Sequence, residues 1–188
     1  MSLPEKEFTR YTYADYCEWD DSERWELIDG IPYAMASPSA IHQRILLELS
    51  RQLADFMDDK PCEVFIAPFD VCLNAAGDDD DDVFQPDIMV VCDDAKITEK
   101  NINGAPDMVI EILSPSSAKH DKFLKFNKYQ RAGVREYWIV DTDTKTIQAH
   151  ILENGRYFTM SYGEAGTIPV HTLDGCIISL PDVFKNIE

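Results

Sequence analysis

The sequence predicts an α/β or α+β domain with a mixed central sheet flanked by helices. Three observations carry that expectation. Two apolar runs, Ile88 to Val91 and Met108 to Leu113, are short and almost unbroken, the pattern of strands buried on both faces. Ile41, Ile45, Leu46, Leu49, Leu53 and Phe56 recur at helical spacing, which predicts a long amphipathic helix. Helices and strands then alternate along the chain with no internal repeat and no interdomain linker, so a single domain over residues 1–188 is expected.

A short helix is expected over 9–21, capped by Thr12. Trp25 to Ile28 and Ile31 to Met35 read as strands joined by an Asp29-Gly30 turn, a hairpin with Glu26 on one face. Ser37-Pro38-Ser39 opens the long helix, which ends near Asp59 before Pro61. Glu63 to Ala67 and Asp70 to Leu73 are further strands, and Asp78 to Asp82 form an acidic loop. The strand over 83–91 is interrupted by Pro86-Asp87. Residues 92–105 read as polar connection, leading into the strand Met108 to Leu113. Ser114-Pro115-Ser116-Ser117 then break the chain and start a helix that ends near Ala132-Gly133. Glu136 to Asp141 is a strand, 146–152 and 157–160 form a hairpin around Asn154-Gly155, and 177–180 is a last short strand.

The formal charge is −18, from 17 Lys and Arg against 35 Asp and Glu, which argues against a protein that coats long stretches of nucleic acid. The five cysteines are widely spaced without a CxxC pair, so neither a disulfide framework nor a zinc ribbon is expected, and a reducing cytoplasm is the simplest location. No signal peptide pattern and no run long enough to span a bilayer occur, so no membrane association is expected.

The chemistry concentrates in residues 108–129. Glu111 interrupts an apolar strand, and a carboxylate there costs several kcal/mol, on the order of ~3–5, unless it is paired or ligates a metal. Asp87 stands on a neighbouring strand. Together with the Ile112 carbonyl, these two acids suit a hard cation such as Mg²⁺ or Mn²⁺. The following helix places Asp121, Lys125 and Tyr129 on one face at i, i+4 and i+8. Lys125 is expected to orient and deprotonate the attacking water, or to neutralise developing charge. Lys122, Lys125 and Lys128 fall within an arc of about 120°, a local basic surface that suits one phosphate and its neighbours.

Pro86-Asp87, then Glu111-Ile112-Leu113-Ser114-Pro115-Ser116, then Asp121, Lys125, Tyr129, Gly133 and Glu136 to Asp141 resemble the Uma2 family over roughly residues 10–182. Trp25 to Gly30 and Ser37-Pro38 followed by His42 add to the resemblance. That family, formerly a domain of unknown function, is grouped with the PD-(D/E)XK nucleases. The resemblance implies a restriction-endonuclease-like core and a metal-dependent phosphodiesterase site. Carried over by position, Asp87 and Glu111 are the acids and Glu26 is an additional metal ligand. Position 113 is Leu where the superfamily pattern has Lys, and Lys125 is expected to replace it.

The resulting expectation is a Mg²⁺- or Mn²⁺-dependent endonuclease acting on DNA, as a homodimer by fold analogy. Its metal ligands are Asp87, Glu111, Ile112 and Glu26. Its catalytic residues are Asp87, Glu111 and Lys125, and its substrate-binding set is His42, Asp121, Lys122, Lys128 and Tyr129. Plainer readings stand beside this. Pro106-Asp107 is a rival acid element, Glu111 can be a core glutamate paired with a base, Tyr129 can be core packing, and His42 can lie on the helix surface. A nuclease fold with a vestigial site, serving as a binding or assembly module, is the alternative function.

Overall fold

The computed structural model describes residues 9–19, 23–113, 121–185 and 187, without the side chains of Asp121 and Lys122. The Ser114–Ser117 break, and the substrate roles expected of Asp121 and Lys122, therefore lie outside the described residues.

The chain opens with α1 (Tyr13–Tyr16), shorter than expected and started by a capping box in which Thr12 and Asp15 exchange hydrogen bonds. β1 (Trp25–Ile28) and β2 (Ile31–Ala34) form the expected hairpin. Its turn puts Asp29 at φ 52° and Gly30 at φ 72°, the pair of left-handed residues that a two-residue hairpin loop needs. A Cβ on Gly30 would also lie 2.9 Å from the Arg10 Cβ. α2 (Ala40–Met57) begins where Ser39 Oγ accepts the His42 N–H at 3.2 Å. β3 (Glu63–Ile66), β4 (Asp70–Cys72), β5 (Val83–Phe84), β6 (Ile88–Val91), β7 (Asn101–Asn103) and β8 (Met108–Ile112) follow. α3 (Asp121–Ala132) leads to β9 (Glu136–Asp141), β10 (Thr146–Glu153) and β11 (Arg156–Tyr162). The chain closes with β12 (Thr167–Pro169), β13 (Ile177–Ser179) and α4 (Leu180–Val183).

Among the described residues the strands form a six-stranded sheet, β11-β10-β9-β8-β6-β3, and a five-stranded sheet, β2-β1-β5-β4-β7, with β12 and β13 paired apart. In the larger sheet only β8 and β9 run parallel, and α3 is their crossover. Strand alternation sorts its side chains by face. Ile88, Val90, Met108, Ile110, Ile112, Trp138 and Val140 pack against the Ile45, Leu49, Leu53 stripe of α2 and against the C-terminal segment. Met89, Val109, Tyr137 and Ile139 pack the other way, against Tyr129 of α3 and against Ile28, Val71 and Phe84 of the smaller sheet. Glu111 shares the parity of Val109, so it faces the space between the sheets. Each fully buried aliphatic side chain contributes about 1.5–3 kcal/mol, so both faces are needed to hold the sheets together.

Besides the short α1 and the unexpected β12 and α4, three departures from the sequence reading have a clear physical cause. The 92–105 stretch contains β7, which pairs parallel with β4. Three residues with one buried apolar centre, Ile102, give too short a period to recognise. Cys62 and Cys92 form a disulfide. The pairing Glu63↔Val91 sets the two cysteines opposite one another across 30 residues of sequence, a proximity created by register rather than spacing. The aspartate run is not uniformly solvated, since Asp80 is fully buried and Asp82 nearly so. Asp80 accepts the N–H groups of Asn74 (2.9 Å), Ala76 (3.2 Å) and Asp82 (3.0 Å), which holds the loop folded.

Asp80→Ala should therefore cost about 2–4 kcal/mol, because it strands several buried N–H donors. Asp78→Ala, at an exposed position, should stay within about 0.5 kcal/mol of wild type. Urea unfolding of the two variants checks this, and equal losses would mean the run acts only through its collective charge.

Candidate active site

Glu111 sits near the end of β8, with α3 crossing above it. Two helix residues reach down to the same oxygen: Lys125 Nζ donates to Glu111 Oε1 at 3.0 Å, and the Tyr129 hydroxyl donates at 2.9 Å. Lys125 also donates to Glu26 Oε1 on β1, at 2.8 Å. The Gln85 N–H holds that same Glu26 oxygen at 2.9 Å. Lys125 is 6% exposed and Tyr129 fully buried, so this is an interior ion triad with one phenol attached. Burial disfavours the Lys125 charge, but Glu111 and Glu26 outweigh it and hold the pKa well above the ordinary lysine value. Burial pushes the Glu111 carboxyl up to about 7; Lys125 pulls it down, and Asp87 and Glu26 add to the rise. Burial, then Glu111, raises the Tyr129 phenol far above its usual range.

Asp87 lies where the chain leaves the smaller sheet and enters the larger one. Its Oδ2 accepts the Ile112 N–H at 2.7 Å, in place of a further strand partner for β8, and lies 3.1 Å from His42 Nε2. Within a strand the N–H and C=O of one residue point to the same side, so the Ile112 carbonyl is directed toward the same edge. Arg24, Glu26, His42, Asp87, Glu111, Ile112 and Lys125 all line one pocket of about 280 Å³, with Leu113 and Tyr137 in its wall.

Not every expected site residue joins this pocket. Lys128 donates to Asp29 and Asp82, each at 2.7 Å, and is turned to the hairpin instead of to a substrate. Lys125 and Lys128 differ by about 60° around the helix, enough to separate a pocket lysine from a structural one. Tyr129 reaches the pocket only through Glu111. His42 is buried, not on the helix surface, and its Nδ1 has no hydrogen-bond partner among the described residues. Glu26 serves Lys125 and Gln85 through Oε1. The rival Asp107 lies at the other end of β8, where it accepts from the Cys92 N–H and from Arg135, each at 2.7 Å. The sequence reading missed Arg24 and Gln85. The available signal was that Arg24 is the only Lys or Arg between positions 11 and 43, two residues before Glu26 on a strand.

The oxygen donors of the pocket suit a hard divalent cation. Among the described residues Asp87 Oδ1 and Glu111 Oε2 accept no hydrogen bond, and the Ile112 carbonyl completes a trio of oxygen donors. Two carboxylate oxygens, a carbonyl and water match what Mg²⁺ or Mn²⁺ takes. A cage of three or more His, Cys, Asp or Glu is not preassembled among the described residues. The residues present therefore fit an ion held partly by water.

The mixed sheet, the helix crossing from β8 to β9 and the acids at the strand ends agree with a restriction-endonuclease-like fold. A solved structure titled as a "putative nuclease belonging to DUF820 from Anabaena variabilis" shares this fold with a TM-score of 0.75, over 92% of this chain and 97% of that one, at 20% identity. The Uma2 family, described as "Putative restriction endonuclease", matches residues 12–181, and the chain belongs to that family. An uncharacterized protein of Synechocystis is 32% identical over 135 residues, which is 69% of this chain and 74% of the relative. A second Synechocystis protein, also uncharacterized, is 25% identical over 163 residues, which is 85% of this chain and 84% of the relative. No described helix is long and apolar enough to cross a membrane.

Two outcomes follow from the triad. Lys125→Met should cost about 3–5 kcal/mol, because two buried carboxylates lose their cation. Adding Glu26→Gln should recover part of that loss, and equal stability of the single and double variants in urea would refute the coupling. The second outcome concerns pH. The folded Glu111 carboxyl titrates near 7, above its unfolded value of 4.5, so its contribution is intact below 4.5 and is lost as pH rises through 7. Glu111→Gln should remove that dependence, narrowing the stability difference between pH 5 and pH 8 by about 1–3 kcal/mol. An unchanged pH slope in the variant would show that Glu111 titrates normally.

Proposed function

We propose that this Uma2 protein is a Mg²⁺- or Mn²⁺-dependent endonuclease that hydrolyses DNA phosphodiester bonds at the Asp87–Glu111–Lys125 pocket. One observation carries the reading. The bond from the Ile112 N–H to Asp87 Oδ2 ties Asp87 to the end of β8 next to Glu111, in a pocket that Lys125 also lines. The cation would be held by Asp87, Glu111 and the Ile112 carbonyl, where it supplies Lewis acidity and charge neutralisation.

The chain's own residues divide the remaining work. An ammonium has three N–H donors, and Lys125 gives one to Glu26 and one to Glu111. The third is left for the pocket, to orient an attacking water or to stabilise charge developing on a phosphoryl oxygen. An ammonium held so firmly charged is a poor proton acceptor, so Lys125 orients the water and does not deprotonate it. Glu26 acts as a positioning residue for Lys125. His42 fixes Asp87, whose other oxygen stays open. Tyr129 restrains Glu111 at one oxygen and leaves the second for the ion. A single domain acting as a homodimer, one site per DNA strand, completes the reading; the Cys62–Cys92 disulfide removes the ground for expecting a reducing cytoplasm.

A second reading has its own support. The net charge of −18 and the absence of a preassembled cage among the described residues favour a nuclease-fold binding or assembly module. Calorimetry with Mn²⁺ and cleavage of plasmid and single-stranded circular DNA separate the two. The endonuclease should bind Mn²⁺, and Asp87→Asn should weaken that binding and cut cleavage on the order of 10²-fold or more. Equal Mn²⁺ binding by wild type and Asp87→Asn, or no cleavage by wild type with either cation, would leave the binding module.

A further inference from the structure

A second cleft, of about 490 Å³, lies beside α1 and the smaller sheet, lined by Tyr16, Trp19, Trp25, Asp70 and Gln85 among others. We propose that this cleft is a subsite for one unpaired nucleotide: the base stacks on Trp19 and Tyr16, its amino edge donates to Asp70, and its phosphate meets Arg24, which lines the neighbouring pocket and is bonded to Gln85 of the cleft wall. The proposal rests on the nuclease reading only for the identity of the strand that carries the nucleotide.

The walls supply a stacking surface. Tyr16 and Trp19 lie 5.6 Å apart, and Trp19 and Trp25 6.1 Å apart at 79°, all three only partly buried. Rings so placed stack any base at a cost of little sequence preference. A volume near 490 Å³ is in the range of small-ligand sites and takes one nucleotide, not a base pair in its stack. Asp70 supplies direction. Its Oδ1 accepts both the Tyr16 hydroxyl (3.1 Å) and Gln85 Nε2 (2.9 Å), whereas Oδ2 accepts nothing among the described residues. A carboxylate oxygen so left suits an amino donor on a Watson–Crick edge. It disfavours thymine, whose carbonyls flank its one N–H.

Arg24 supplies the anion contact. In a chain with 35 acids its guanidinium makes no ion pair among the described residues, and its side chain donates only through Nε, to Gln85 Oε1 at 2.9 Å. Its Nη2 is buried without a partner. A buried unmet donor on a charged group is costly, and a phosphate oxygen would satisfy it after a small turn of the guanidinium. Arg24 lines the pocket that holds Asp87 and Glu111, while its chain neighbours Glu23 and Trp25 and its partner Gln85 line the cleft. Gln85, in the cleft wall, is two positions from Asp87, within about 7 Å of extended chain. A nucleotide in the cleft is thereby adjacent to the acids. Contact with one nucleotide also suits a charge of −18 better than tracking along a duplex does.

The test uses the full chain without divalent cation, titrated with dGMP, deoxyguanosine and dTMP. Tryptophan fluorescence is the readout, since Trp19 and Trp25 line the cleft and Trp138, the third of three, is fully buried. Expected are saturable quenching by dGMP and at least about tenfold weaker binding of dTMP. Arg24→Gln should abolish the advantage of dGMP over deoxyguanosine, and Asp70→Asn the preference over dTMP. Trp19→Ala, followed by calorimetry, should weaken dGMP by about tenfold. Unfolding midpoints check that each variant is folded. No saturable dGMP binding by wild type, dGMP binding that Trp19→Ala leaves unchanged, or tetramethylammonium binding more tightly than dGMP would overturn the proposal. The last result would mark an aromatic cage for cations. Nucleotide binding without any DNA cleavage sinks the nuclease reading and supports this one; cleavage without nucleotide binding does the reverse.

Discussion

The ammonium of Lys125, buried between Glu26 and Glu111, is the contact on which the rest of the structure depends. Glu26 belongs to the smaller sheet, Glu111 to the larger one, and Lys125 to the helix between them. One charge therefore fixes three elements at a single point. It also decides what the interior tolerates. Two carboxylates brought this close without a cation would repel each other, and one would have to take up a proton. With Lys125 in place that repulsion is offset, and its charge favours the ionised form of Glu111 against the cost of burial. The contact that joins the sheets and the contact that equips the site are the same one.

The acidic composition looks different once the bases are located. Lys125 and Lys128 are committed to internal carboxylates, Arg135 to Asp107, and Arg51 to Glu48 and Asp55. Lys125, Lys128 and Arg135 tie separate elements of the fold together, while Arg51 pairs within its own helix. The candidate site thus works by local arrangement, a few donors in a partly dry pocket, not by a broad field. Electrostatic effects are stronger per charge in such surroundings.

Much of this was legible in the sequence. The continuous apolar runs of β6 and β8 marked the buried centre of the larger sheet, and Asn154-Gly155 marked its β10–β11 hairpin. The isolated Glu111 within an apolar strand marked the pocket, because nothing but function or pairing keeps an acid there; it turns out to be paired and pocket-lining at once. Other features were hidden because their causes are tertiary. β7 exists only because β4 offers it a parallel edge. Asp80 and Asp82 look identical to Asp78 until the loop folds around them. The separation of Lys125 from Lys128 depends on which acids wait below each, which helical periodicity alone cannot reveal. Arg24 carried little signal because its distinction, a buried Nη2 without a hydrogen-bond partner, is a property of surroundings and not of sequence.

The lysine reaches Glu111 from a crossover helix, while position 113 of the strand holds Leu. This makes the site's positive charge a movable part. A strand lysine is locked in register with its acid by the sheet itself. A helix lysine keeps its place only as long as the helix does. A slip of α3 by one turn would carry the ammonium about 5.4 Å along the helix axis, together with the Tyr129 hydroxyl, and Glu111 Oε1 would lose both of its donors. The same acids would then stand without their cation, so the resting position of one helix sets the local charge balance.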